Sequence, residues 1–339
     1  MLRRRDAQAR TLLFAGVPIV IFVVVFAVSF AHFRSSGKEP EARAAASAAA
    51  NDAAAGVTDA SGGRVVFHLS AQTDEPVEGY LASIGVDGSG LRRITVRPGR
   101  DELASDIAPA VSPDGRTIAF QRAVAGSTEG SPPYVYLVGA DGSRLRRLTE
   151  GDDPELDAAW SPDGRRIAFA RETGGQFDVY VVGKDGSGVK RLLGSGGADE
   201  DFPSWSPDGK TLVFARYEPG FESASGDLWL ANVDGSGERL LLGGPDDDSA
   251  PSWSPDGQRI AFLRNGHLAV LDVDTSVVDP LTNPGEVKES RPVWSPEGSR
   301  LAFTRDSGSL LVLPLDASAR PERVPLDAPA QSAAWERGE

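Results

Sequence analysis

Five carboxylates recur at one place in a repeated phrase. The chain spells "WSPDG" at Trp160–Gly164, Trp205–Gly209 and Trp253–Gly257, with near-copies at Val111–Gly115 and Trp294–Gly298. Five residues before the aligned positions Val111, Trp160, Trp205, Trp253 and Trp294 stand Asp106, Glu155, Glu200, Asp248 and Glu289; before Trp335 the same place holds Ala330. Asp152, Asp153, Asp199, Asp201, Asp246 and Asp247 add acid to the same stretches. Like charges gathered in one place repel unless something neutralises them. Such a cluster attracts a cation, calcium for instance, or a basic peptide segment. The alternative is architectural: each carboxylate accepts hydrogen bonds from nearby amides and fixes a turn. Asp106, Glu155, Glu200, Asp248 and Glu289 are therefore candidates for binding a partner or a cation.

Other chemistry is thinly represented. With no cysteine there is no disulfide, thiolate metal site or cysteine nucleophile. The histidines are His32, His68 and His267, and neither a His-Glu-x-x-His zinc motif nor a Gly-x-Ser-x-Gly elbow occurs. His68 and His267 each lie near a predicted strand, face no obvious partner, and read as packed or solvated strand residues. The Asp87-Gly-Ser-Gly90 type of segment lies between strands and lacks the helix that a phosphate loop needs. Asp272-Val-Asp274 lacks the rest of a calcium loop. No enzyme and no resident cofactor are expected. The net charge of −14 is concentrated after residue 60, where 28 Lys+Arg face 44 Asp+Glu, and such an acidic body excludes nucleic acid as a partner.

The elements that would position the carboxylates follow from the repeat. The aligned positions are 49, 45, 48, 41 and 41 residues apart, the period of a propeller blade. Each unit reads as four short strands. In one unit these are Arg165–Ala170, Asp178–Val182, Lys190–Leu193 and then Pro203–Trp205. Ser-Pro-Asp-Gly is a type I turn in side-chain code, because Pro sets φ for its second position and Gly suits the fourth. Asp-Gly pairs at Asp87, Asp141, Asp185 and Asp234 predict a second set of turns between third and fourth strands. Each Trp reads as a wedge between neighbouring sheets whose indole N–H needs an acceptor. Arg92-Arg93, Arg146-Arg147 and Lys190-Arg191 mark the outermost strand. Gly63–Phe67 begins like Gly164–Phe169 but has no turn strand before it, whereas Ser332–Trp335 copies Asp157–Trp160 with little after it. The two ends are thus expected to complete one blade between them. The fold class expected is all-β: a six-bladed β-propeller of four-stranded blades over residues 62–339, closed by terminal strands that share a blade.

The first residues read differently. Residues 1–10 carry Arg3, Arg4, Arg5 and Arg10 and read as a cytoplasmic N-terminus. Residues 11–33 contain no Asp, Glu, Lys or Arg. As a helix of about 1.5 Å per residue they would cross a bilayer core of about 30 Å. The run exceeds a signal-peptide core and reads as an uncleaved transmembrane signal-anchor; Ser29-Phe30-Ala31 offers the cleavage alternative. Residues 34–61 are rich in Ala, Gly, Ser and Glu and read as a flexible linker. This order predicts a single-pass plasma-membrane protein with the acidic body outside, periplasmic or extracellular.

The repeated "WSPDG-x-x-(Ile/Leu)-(Ala/Val)-Phe" pattern resembles the WD40-like (PD40) repeats of TolB-type β-propellers, and the resemblance covers about residues 63–335. It implies that the SPDG strand is innermost, lining a central channel, and that the body works outside the cytoplasm as a binding module. This chain has a tether where TolB carries an α/β domain. Similar repeats also form the propellers of prolyl-oligopeptidase-like peptidases, which need an attached hydrolase domain. The function expected is a membrane-tethered propeller that docks a protein, peptide or envelope component. The alternatives are a propeller-type enzyme, such as a metal-assisted hydrolase or lactonase, and a sensor or structural ectodomain of a membrane complex.

Overall fold

The computed structural model describes residues 63–336 apart from 71–78, 97–102, 126–131, 195, 219–224, 284, 286, 306–307 and 317–319. The anchor at 11–33 and the linker at 34–61 lie outside the described residues, and no described helix is long and apolar enough to cross a membrane.

The described residues form strands β1 (Arg64–Ser70), β2 (Gly79–Gly85), β3 (Arg92–Arg93), β4 (Leu103–Val111), β5 (Thr117–Ala125), β6 (Tyr134–Gly139), β7 (Arg146–Arg147), β8 (Glu155–Trp160), β9 (Arg166–Glu172), β10 (Phe177–Gly183), β11 (Lys190–Arg191) and β12 (Asp199–Trp205). They continue with β13 (Thr211–Tyr217), β14 (Gly226–Asn232), β15 (Arg239–Leu242), β16 (Asp248–Trp253), β17 (Arg259–Arg264), β18 (His267–Asp272), β19 (Val278–Pro280), β20 (Val293–Trp294), β21 (Arg300–Thr304), β22 (Leu310–Pro314), β23 (Glu322–Arg323) and β24 (Ala330–Trp335). Strands β8–β11, β12–β15, β16–β19 and β20–β23 each make a four-stranded antiparallel sheet in which the chain meanders strand by strand. The strand ending in each SPDG turn is at one edge and the short fourth strand is at the other, basic in β11 but Val-Asp-Pro in β19.

The remaining sheet has eight strands because two such units touch. One is β4–β7. The other is β24-β1-β2-β3, in which the C-terminal strand pairs antiparallel with the first, Val65 opposite Trp335 and Leu69 opposite Ala330. A single parallel bridge, Gly79 with Ser105, joins the two units. His68 fills this seam. It is 2% exposed, its Nδ1 lies 2.7 Å from the Asp106 carbonyl, and a Cβ on Gly79 would stand 1.8 Å from its ring. Only glycine permits that approach.

One phenylalanine from each second strand anchors the packing: Phe67, Phe120, Phe169, Phe214, Phe262 and Phe303 are all 0% exposed. The tryptophans tie sheet to sheet. The indole N–H groups of Trp160, Trp205, Trp294 and Trp335 donate at 2.9–3.1 Å to the carbonyls of Ala110, Ala159, Ser252 and Val293 in the preceding sheet. Trp253 departs from this: its backbone N–H takes Ser204 Oγ at 3.2 Å, and its buried indole N–H has no partner.

The SPDG turns carry their own hydrogen bonds. In the turn beginning at Ser161 the hydroxyl donates to Asp163 at 2.6 Å and accepts the Arg166 amide at 2.9 Å, and Gly164 N donates to Ser161 O at 2.9 Å. The glycines lie at φ of +64° to +73°, in the left-handed region. A Cβ on Gly164, Gly209, Gly257 or Gly298 would meet the proline of the previous turn at 3.5–3.7 Å, so successive turns rest on one another. Hydrogen bonds from Ser112, Ser161 and Ser206, then from the following amides, hold the carboxyls of Asp114, Asp163 and Asp208 below their usual range. A depressed folded pKa contributes stability above the unfolded value, near 4, and that contribution is lost as pH falls through the folded one. Replacing Ser112, Ser161 and Ser206 together by Ala is therefore expected to move the acid-unfolding midpoint to higher pH. An unchanged midpoint in a circular-dichroism titration would show that these bonds do not couple to folding.

Candidate functional site

All five carboxylates singled out by the repeat occupy equivalent places. Asp106, Glu155, Glu200 and Asp248 are 0–1% exposed and Glu289 is 7% exposed. Each faces an arginine sixteen residues further on, its cross-strand partner on the next strand in four units and, for Glu289, across an isolated bridge to Arg305 just past β21. The Asp106–Arg122 pair is bidentate at 2.6 and 2.7 Å, Asp248–Arg264 at 2.8 and 2.8 Å. Glu289 meets Arg305 at 2.9–3.1 Å, Glu155 meets Arg171 Nε at 3.1 Å, and Glu200 meets Arg216 at 3.1 Å. Each guanidinium also lies 5.3–5.8 Å from the centre of the phenylalanine two residues before it. Glu155 and Glu289 accept further bonds from the amides of Val135 and Leu268 and from Thr149 and Thr282. Burial lifts the Asp248 carboxyl above its usual range, against the pull of Arg264.

The carboxylates are therefore neutralised one by one, so the premise of mutual repulsion does not hold for them. The residue that decides this is the arginine, whose constant spacing of sixteen acquires meaning only once the strand register is known. The sixth unit is instructive. Where the others place Asp or Glu opposite Arg, it places Ala330 opposite Leu69. An apolar pair stands in for the buried ion pair.

A second polar group was not anticipated as a unit. The strands ending in SPDG carry a bulge three residues before the Trp position, and Ala108, Asp157, Phe202, Ala250 and Ser332 have φ of +42° to +54° there. A bulge re-aims side chains. Asp157 thereby hydrogen-bonds the carboxyl of Asp201, whose Oδ1 also accepts the Phe202 amide at 2.7 Å. Arg291, three residues before Trp294, reaches both strands. Its Nη1 lies 3.8 Å from Asp157, and its Nη2 donates to the Pro203 carbonyl at 3.4 Å. Burial raises the Asp157 carboxyl and raises Asp201 well above the usual range, with Asp157 pushing Asp201 further. Burial lowers Arg291, and burial beside Asp201 and Asp247 raises the Tyr217 phenol well above its normal value.

Charge reaches solvent in the loops at the same end. Glu150, Asp152 and Asp153 are exposed beside a half-buried Glu172. Asp199, Asp246 and Asp247 are half-buried, and their carboxylates accept bonds from Phe177 N, Asn265 Nδ2 and Gly226 N. No group of three His, Asp or Glu arranged to hold a metal occurs among the described residues.

Known proteins with this architecture agree on the fold. The solved structure of TolB from Acinetobacter baumannii superposes with a TM-score of 0.65 at 24% identity, over 81% of this chain and 66% of that one, so the chain spans just under two thirds of its length. A TolB candidate from Agrobacterium tumefaciens gives 0.57 at 20% identity, over 80% and 91%. A puromycin-hydrolyzing peptidase from Mycobacterium tuberculosis gives 0.54 at 15% identity, over 78% of this chain and 46% of that one. At these identities the likeness is one of β-propeller fold. No curated protein sequence matches the chain. The family model described as the TolB beta propeller domain matches residues 101–266. Residues 101–266 thus match the TolB beta propeller domain, and the fold of the described residues is of that kind.

Proposed function

We propose that the body is a six-bladed propeller whose last blade joins both ends of the chain, and that it binds a basic protein or peptide segment instead of catalysing a reaction. Residues 11–33 tether it to the plasma membrane, with the propeller outside and the partner in the cell envelope. The observation that carries the binding reading is an asymmetry between the two ends of the sheets. At the SPDG end, aspartates such as Asp114, Asp163 and Asp208 are held by their own turns. At the other end Glu150, Asp152 and Asp153 are exposed, and the nearby Arg147 is stacked 3.4 Å over the Tyr134 ring and bonded to Gly151 O. Concentrated negative charge of this kind steers and holds cationic partners. TolB-like propellers, which the body resembles, are the precedent for envelope binding.

Full-length protein in membrane vesicles is expected to bind a lysine-rich peptide in a salt-sensitive way. The triple variant Glu150→Lys, Asp152→Lys, Asp153→Lys is expected to weaken that binding at least tenfold, about 1.4 kcal/mol. Its thermal midpoint should stay close to wild type, since the three side chains are exposed. Equal binding by variant and wild type would remove this end as the docking surface.

A further inference from the structure

We propose that Asp157, Asp201 and Arg291 form a proton-held clasp that ties the inner edges of three sheets together and loosens when the carboxyl pair gives up its proton. This goes beyond partner binding and stands whether or not the acidic loops dock anything.

The geometry begins with topology. Asp157 lies on β8, Asp201 on β12, and Arg291 two residues before β20. The sheets of β8 and β12 are consecutive, but the sheet of β16–β19 separates β12 from β20 in the chain. Arg291 bypasses that sheet to donate to Pro203 O at 3.4 Å, across 88 residues of sequence. It does so from the bulge position that Asp157 occupies in its own strand. The clasp is thus a direct link between inner edges that are not sequence neighbours.

The chemistry of the link requires a proton. Two carboxylates cannot hydrogen-bond each other when both are ionised; one must donate O–H. Asp157 is 8% exposed, and the pair faces one guanidinium. With one proton shared, the pair's single negative charge balances Arg291. Without it, a second negative charge is left on the buried Asp157 and half-buried Asp201 pair, and Arg291 can balance only one. Among the described residues packed around the pair, no second cation is free to do so. Glu155 and Glu200 are taken up by Arg171 and Arg216, Tyr217 on β13 is a neutral phenol bonded to Ser249, and Asp247 ahead of β16 is itself acidic. Burial and like charge both favour retaining the proton.

The direction of the pH effect follows. Asp201 has its folded pKa raised, so its contribution to stability is complete below the unfolded carboxylate value, near 4, and is lost as pH rises through the folded one. Titration of His68 works in the opposite sense. Burial depresses it, so its contribution is lost as pH falls.

The test is the thermal midpoint of the full chain across pH 5 to 9, on the order of the span between an unfolded carboxylate and a strongly raised one. Wild type is expected to lose stability with rising pH, and amides of Glu155–Trp160 and Asp201–Trp205 to lose hydrogen-exchange protection over the same step. Asp201→Asn keeps the hydrogen bond without the titration and should flatten the step. Arg291→Gln removes the balancing charge, makes the proton harder to lose and should shift the step to higher pH. A structural role alone would not move a pH profile. A step unchanged in Asp201→Asn, or unmoved in Arg291→Gln, overturns the clasp. Should either variant fail to fold, the infrared protonated-carboxyl stretch of wild type decides. The proposal expects it at neutral pH, fading over the range where stability falls. A band that does not fade over that range refutes it.

Discussion

Removing Gln331–Glu339 is expected to abolish cooperative unfolding of the body. The strand lost, β24, pairs with β1 over Val65–Leu69. It also carries Trp335, 5% exposed, whose indole N–H donates to Val293 O at 3.0 Å and whose ring lies under the Arg300 guanidinium at 4.8 Å. Ser332 Oγ accepts the Ala108 amide at 3.0 Å, and Glu336 pairs with Arg64 and Arg92 at 3.2 and 3.3 Å. The strand therefore touches the sheets of β4, β20 and β1 at once. Trp335→Ala alone should cost about 3–5 kcal/mol. Domains are stable by only about 5–15 kcal/mol, so losing the whole strand and baring the edge of β1 exceeds what the fold can absorb. Urea unfolding of the truncated and intact chains checks this. Equal midpoints would mean that β24 is dispensable and that the body does not close through it.

Arg122→Met is expected to destabilise by about 3–5 kcal/mol, because it leaves the Asp106 carboxylate buried without its counterion. Asp106 is 1% exposed and Arg122 is 2% exposed, so water cannot take the arginine's place. The double variant Asp106→Ala, Arg122→Leu should recover most of that loss. The protein contains the precedent, since Ala330 and Leu69 occupy the same two positions in the sheet shared by the chain ends. Apolar replacement of a buried ion pair is often neutral. A double-mutant cycle is expected to return a coupling of about 2–3 kcal/mol. A double variant as unstable as Arg122→Met would show that the guanidinium acts through its stacking on Phe120 and Tyr136, 5.4 and 5.5 Å away, and not through the carboxylate.

Much of this architecture was legible in the residues, and the reasons are local. Proline, aspartate and glycine each constrain the backbone, so the SPDG and Asp-Gly turns could be placed by inspection, and the spacing between them set strand length. Basic residues at β3, β7 and β11 marked the outer edges. The copy of Asp157–Trp160 at Ser332–Trp335 announced that β24 would pair with β1. The site was harder. The position of Asp106, Glu155, Glu200, Asp248 and Glu289 was plain, but their environment was not, because a cross-strand arginine sixteen residues away is a matter of register. Asp157, Asp201 and Arg291 were invisible as a group. The bulge that brings them together is made by Ala108, Asp157, Phe202, Ala250 and Ser332 at positive φ, none of them the glycine that usually signals it.

The shared sheet also sets an order of events. A chain made or exported N-terminus first releases β1 early and β24 last. Strands β8 to β23 can close their meanders as they emerge, each from neighbours in sequence. The edge of β1 that β24 will cover stays bare until the end of the body is available, and hydrogen-bonding groups on a bare edge are a template for any extended segment nearby. A long-range closure of this kind is slow compared with the local hairpins. The interval between first and last strand is thus the period in which the protein is most exposed to mispairing, and a chaperone that caps one edge would be enough to guard it.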